Sequence, residues 1–159
     1  MTCTVVASDE RSVADPMLDV ERWARLAEAA AVHEGGVGEL TLTFLDRAEM
    51  ADLNVEHMGK EGATDVLSFP MDDVPTPGVP TMLGDIVVCP AVAVDQFATH
   101  AGTLDDEVAL LVVHGVLHVL GHDHAEVEET ATMRSRELAL LERYHWNGPA
   151  PDTFRQAQD

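Results

Sequence analysis

The chain has 159 residues, 46% of them hydrophobic, which is enough for one buried core and too apolar for a disordered segment. Nine Lys and Arg stand against 29 Asp and Glu, a net charge of −20, and this excludes the broad basic face by which most nucleic-acid binders neutralise phosphates. The two cysteines, Cys3 and Cys89, form no Cys-x-x-Cys pair. A disulfide framework and an all-thiolate zinc site are therefore excluded, and the usage fits a reducing cytosol. The first residues carry no basic leader, and the longest apolar run, Val108 to Val113, is too short to span a bilayer. A soluble cytoplasmic protein with no membrane partner is expected.

In chain order, Asp15 as N-cap and Pro16 at the first helical position predict a helix running to about Val32 and stopping at Gly35-Gly36. Leu40 to Phe44 alternates with period two, the sign of a half-buried strand, and Val5-Val6 can start another. Asp46 caps a short helix, Ala48 to about Val55. Val66 to Met71 reads as a strand that Pro70 confines to an edge or a bulge. Asp72 to Thr81, with three prolines and a glycine, reads as a loop, and Leu83 to Cys89 as a strand ended by Pro90. The pattern from residue 91 is helical. Thr103 to Asp106 has the form of a capping box, opening a helix from Asp105 to Leu120 that is apolar nearly all round and is stopped by Gly121. A last amphipathic helix spans about Val127 to Tyr144. One domain over residues 1–145 is expected, with 146–159 as a loose tail. Early strands and late helices predict an α+β fold, a small mixed sheet packed with about five helices.

Four of the eight histidines fall within eleven residues, at 114, 118, 122 and 124. His114 and His118 are i and i+4 and project from one face of the buried helix. Gly121 lets the chain double back and bring His124 to the same ion. Three imidazoles leave a fourth position open, the arrangement of a catalytic zinc. His122 reads as a supporting or surface residue, and Asp123 as a carboxylate that orients one imidazole. The spacing also matches the metzincin protease pattern H-E-x-x-H-x-x-G-x-x-H. Gly115 stands where those proteases have the glutamate that accepts the proton from water, so a protease is the weaker reading.

The run His114-Gly-Val-Leu-His118-Val-Leu-Gly121-His122-Asp123-His124 resembles the H-G-x-L-H-x-x-G-x-D-H signature of the YbeY family of bacterial endoribonucleases. Thr64 to Pro70 and Leu83 to Ile86 resemble that family's other two marked segments, in the same order. The resemblance implies a zinc-dependent, single-strand-selective endoribonuclease with one Zn2+ per chain on His114, His118 and His124. It also implies a role in 16S ribosomal RNA 3′-end maturation and ribosome quality control, with RNA and the small ribosomal subunit and its proteins as partners and no DNA. A non-catalytic assembly factor is a further alternative.

Other residues carry weaker expectations. Asp85, at the start of a strand, and Asp123 are the candidate general bases. Ser68, alternating with Leu67 and Phe69, points either to solvent or into a cleft, and is with Lys60 a candidate substrate-binding residue. Lys60 is the one cation between Arg47 and Arg134 and is expected to contact the RNA backbone, with His57 assisting when protonated. Many family members carry an arginine just before the Gly-Lys pair, where this chain has Met58. The acidity requires a local positive spot, to which a divalent ion on neutral imidazoles contributes its full charge.

Overall fold

The computed structural model describes residues 3–71, 76–122 and 125–156. Four strands, β1 (Cys3–Asp9), β2 (Gly38–Phe44), β3 (Val66–Pro70) and β4 (Met82–Val88), form one mixed sheet in the order β1-β2-β4-β3. β2 pairs in parallel with β1 on one side and β4 on the other, and β3 runs antiparallel to β4 at the edge. Five α-helices accompany it: α1 (Val20–His33), α2 (Arg47–Met58), α3 (Pro90–Gln96), α4 (Leu104–Val119) and α5 (Val127–Tyr144). This is the expected α+β architecture, and Pro70 closes the edge strand, where a missing N–H costs no ladder bond. Among the described residues no helix is long and apolar enough to cross a membrane.

α4 is the centre. Its residues from Asp106 to Val113 are all buried, as are Gly115, Val116, Leu117 and Val119, because the sheet, α1, α3 and α5 pack around it. The main core joins these side chains to Trp23 and Leu26 of α1, Leu40, Leu42 and Phe44 of β2, and Ile86 and Val88 of β4. On the other face of the sheet a smaller cluster unites Met50 and Leu53 of α2 with Leu67, Phe69 and Val87. Gly115 explains how α4 lies so close to the sheet. A Cβ there would stand 2.6 Å from Ile86 Cγ2, well inside the roughly 3.5 Å contact distance of carbon atoms. Gly121, with φ of +102°, then ends α4. The Gly121 N–H bonds to His118 O at 3.0 Å and the His122 N–H to Leu117 O at 2.9 Å, which satisfies two of the helix's last carbonyls.

Three expectations are corrected. α1 starts at Val20 rather than Pro16, because Asp19 supplies the cap, accepting from the Arg22 N–H at 3.2 Å, and the buried stripe of Trp23, Leu26, Ala27 and Ala30 begins only there. Pro16 follows a cis peptide bond in the preceding loop. Thr103 caps α4 by accepting from the Asp106 N–H at 3.1 Å, but the Asp106 carboxylate does not return the bond. It accepts from Trp146 Nε1 at 2.9 Å and lies 2.7 Å from His145 Nε2. The reciprocal box is found instead at α5, between Glu126 and Glu129. Residues 146–156, expected as a loose tail, lie against the body. Phe154 is buried with its ring 4.8 Å from that of Trp146, and the Arg155 N–H bonds to His100 O at 2.9 Å. Residues 72–75 of the expected loop lie outside the described residues.

Candidate active site

His114 and His118 project from one side of α4 with ring centroids 4.6 Å apart and planes at 76°. Both line a cavity of about 610 Å³ whose walls also include Lys60, Thr64, Asp65 and Ser68 from the α2–β3 segment, and Thr130, Arg134 and Glu137 from α5. The deciding contact is between helices: Glu137 Oε2 lies 2.5 Å from His114 Nδ1. The Glu137 side chain is nearly fully buried. An ionised carboxylate only accepts, so the ring nitrogen facing it is the donor, and in the neutral imidazole that arrangement leaves Nε2 as the acceptor. This is the support that metal-bound imidazoles receive from neighbouring carboxylates. Among the described residues no three His, Cys, Asp or Glu side chains group closely enough to hold a metal ion. His124 and Asp123, the expected third ligand and the expected orienting carboxylate, lie outside the described residues. The donor chemistry of His114 and His118 nevertheless fits a divalent zinc: two imidazoles one helical turn apart, one held in the ligating tautomer.

Ser68 points into the cleft. Its hydroxyl donates to Gly115 O at 3.3 Å, across the contact between β3 and α4. Asp85 does not face this site. Ser68 pairs with Ile86 and Phe69 with Asp85. Because successive residues alternate in direction, Ile86 packs on α4 while Asp85 faces the opposite side of the sheet, hydrogen-bonded by the Thr41 hydroxyl. Asp85 is thereby corrected from a candidate base to a structural partner of β2. Asp65 lines the cavity, but its oxygens are occupied: Oδ1 accepts from the Val66 N–H at 2.7 Å and Oδ2 from Gln96 Nε2 at 2.8 Å. Gln96 Nε2 also reaches Glu107 Oε2 at 2.9 Å, which ties the signature segment to the fully buried Glu107 of α4.

Lys60 lines the cavity. Gly59 adopts the left-handed conformation at the end of α2, and the Lys60 N–H bonds to Asn54 O at 3.3 Å. The buried Asn54 side chain donates to Gly62 O at 2.8 Å and so holds the loop in place. Met58 lines the same cavity. His57 is not among the lining residues; it packs edge-on against Phe69, ring centroids 4.9 Å apart, and lies 3.9 Å from Glu56. His122 pairs with Glu34, which also holds Arg136. Sequence reasoning missed Glu137 and Arg134. The signal was present in α5, where Met133, Glu137, Leu140 and Leu141 follow one helical stripe, so that a carboxylate stood among core positions.

The family model described as endoribonuclease YbeY matches residues 8–145. The chain belongs to the YbeY family. Curated relatives named endoribonuclease YbeY are 51% identical over 114 residues in Mycolicibacterium gilvum, 50% over 115 in Rhodococcus erythropolis and 49% over 114 in Mycobacterium tuberculosis. The match covers 67% of this chain in each case, but only 64%, 63% and 64% of the relatives, so the chain spans less than two thirds of their length. The solution structure of TM1509 from Thermotoga maritima superposes with a TM-score of 0.56 at 21% identity, covering 89% of this chain and 93% of that one. That likeness establishes the shared fold. Of the segments that carried the resemblance, Thr64 to Ser68 and the histidines His114 and His118 line the cavity described here.

Proposed function

We propose that the chain is a zinc-dependent endoribonuclease that cuts single-stranded RNA. In this reading it acts in the cytoplasm with the small ribosomal subunit, in 16S ribosomal RNA 3′-end maturation and ribosome quality control. The observation that carries it is the His114–Glu137 pair beside His118, at a cavity that Lys60 and Arg134 also line, in a member of the YbeY family. His114, His118 and His124 would hold one zinc ion. When bound, zinc supplies Lewis acidity toward a phosphoryl oxygen and toward water.

The chain's own residues set the rest. Glu137 keeps the His114 ring in one tautomer and one orientation. Ser68, with its proton committed to Gly115 O, presents oxygen lone pairs to the cavity. Lys60 and Arg134 offer cations to the substrate's phosphates, while Asp65 and Glu137, the two carboxylates among the described lining residues, each accept hydrogen bonds from the protein that offset part of their charge. This is how a chain at −20 can present a locally favourable spot to RNA. With Asp85 on the far face of the sheet, Asp123 is the remaining candidate for the base. The protease reading finds no support, since the position of its glutamate is Gly115, packed against Ile86.

The test is end-group analysis after incubation with a short unstructured RNA, beside a chelated control and casein. Attack by water leaves 5′-phosphate and 3′-hydroxyl ends and stops on chelation. Cyclic 2′,3′-phosphate ends would overturn the hydrolytic reading, and cleavage of casein but not RNA would overturn the nuclease reading.

A further inference from the structure

The family match ends at residue 145, yet the chain beyond it returns to the site. Trp146 is pinned to Asp106 of α4 through its Nε1, and Phe154 is buried against the Trp146 ring. The Arg155 N–H is fixed on His100 O. These anchors deliver Gln156 to the back of the histidine site. Its side-chain amide donates from Nε2 to Arg134 O at 2.9 Å and to Glu137 Oε1 at 2.9 Å. Both partners are oxygen acceptors, so the orientation of the amide follows from the chemistry. Glu137 thus spends one oxygen on His114 and the other on Gln156.

We propose that Gln156 is a positioning residue for His114, acting through Glu137, and that the segment 146–156 is part of the site. A carboxylate at 4% exposure needs a donor on each oxygen, because a buried acceptor left unpaired costs its full desolvation. Gln156 supplies the donor that His114 does not, and so fixes the plane of the carboxylate. With the plane fixed, Oε2 is fixed, and with it the proton on Nδ1 and the direction of the His114 ring. Without Gln156 the carboxylate turns toward other donors or admits water, and the ring loses its single tautomer. The inference rests on the reading of His114 as a metal ligand, but its first readout needs neither metal nor RNA.

The experiment uses the full chain and its Gln156→Ala and Gln156→Glu variants. In metal-free protein, the two-bond ¹H–¹⁵N spectrum of the histidine rings reports the His114 tautomer. Zinc affinity is then measured by competition with a chromophoric chelator. The expected result is one Nδ1–H tautomer for His114 in the parent and a mixture in Gln156→Ala, with zinc affinity weakened by about tenfold, the low end for partners of ligating imidazoles. Gln156→Glu, which sets a second carboxylate against Glu137, gives the larger change. His114 signals identical in all three proteins overturn the proposal, whatever the zinc affinity. If the parent binds no zinc while the His114 tautomer responds to Gln156, the metal reading fails and the positioning role stands.

Discussion

Gly115→Ala tests the account of why α4 lies where it does. A methyl group there meets Ile86 Cγ2 at 2.6 Å and Ser68 Oγ at 3.4 Å. Ile86 is fully buried and β-branched, so its χ1 has little freedom to yield. Relief requires α4 to move away from β4 by about 1 Å to regain carbon contact distance. Overpacking of this kind costs about 1–3 kcal/mol. Replacing a mid-helix glycine by alanine gains about 1 kcal/mol of helix propensity. The two oppose each other and the clash wins, leaving a net loss of about 1 kcal/mol and a Tm lower by about 2–4 °C for a domain of this size. Urea denaturation of the parent and the variant measures it. The decisive control is the same change in an Ile86→Ala background, which is itself about 2–5 kcal/mol less stable. There the clash is gone and only the propensity remains, so Gly115→Ala becomes stabilising by about 1 kcal/mol. A stabilising effect in the parent, or the same destabilisation in both backgrounds, would refute the packing argument.

Lys60→Ala and Arg134→Ala each lower kcat/KM for RNA and reduce the slope of log KM against log salt by about 0.7, the value for one phosphate contact on a single strand, with zinc content unchanged; a slope that stays at the parent's value returns that side chain to a solvated role. The Arg11 guanidinium, by its hydrogen bonds to Asp9 at 2.8 Å, holds the Asp9 carboxyl below its ordinary value. The folded value is lowered, so the contribution is present above the unfolded value of about 3.9 and is lost as pH falls through the folded one. Asp9→Asn therefore lowers the urea midpoint at pH 7 by the equivalent of about 1 kcal/mol, and the gap narrows below about pH 4; a gap that widens on acidification would contradict this. Burial pushes the Cys89 thiol up, and burial together with Glu28 does the same for Cys3, so iodoacetamide at pH 8 labels neither in the native protein and both in denaturant. Rapid native labelling of either would show that the cores containing them open readily.

The parts of the fold that could be read from the sequence were those with a clean local pattern. β2 alternates, β4 is a run of Ile and Val closed by Pro90, the last helix was placed at the observed residues, and the i, i+4 pair of His114 and His118 needs nothing beyond helix geometry. What escaped depends on partners far along the chain. Asp85 and Ser68 look equally available in isolation, and only the pairing of Ser68 with Ile86 and of Phe69 with Asp85 separates the face that meets α4 from the face that does not. Asp106 reads as half of a capping box until His145 and Trp146, some 40 residues away, claim its carboxylate. Residues 146–156 are short of regular structure and rich in Gly and Pro, so nothing local shows that Phe154 enters the core. Glu137 was within reach, because its helical phase placed a carboxylate on the buried stripe of α5.

The central claim is that RNA is cut at the His114–His118 site with zinc held there. The most direct measurement is the cleavage rate of a short unstructured RNA as zinc is titrated into the metal-free protein. The account predicts no cleavage without metal, a rate that rises in proportion to bound zinc and a plateau at one zinc per chain. Full cleavage by the metal-free protein, or none once zinc is stoichiometrically bound, would contradict it.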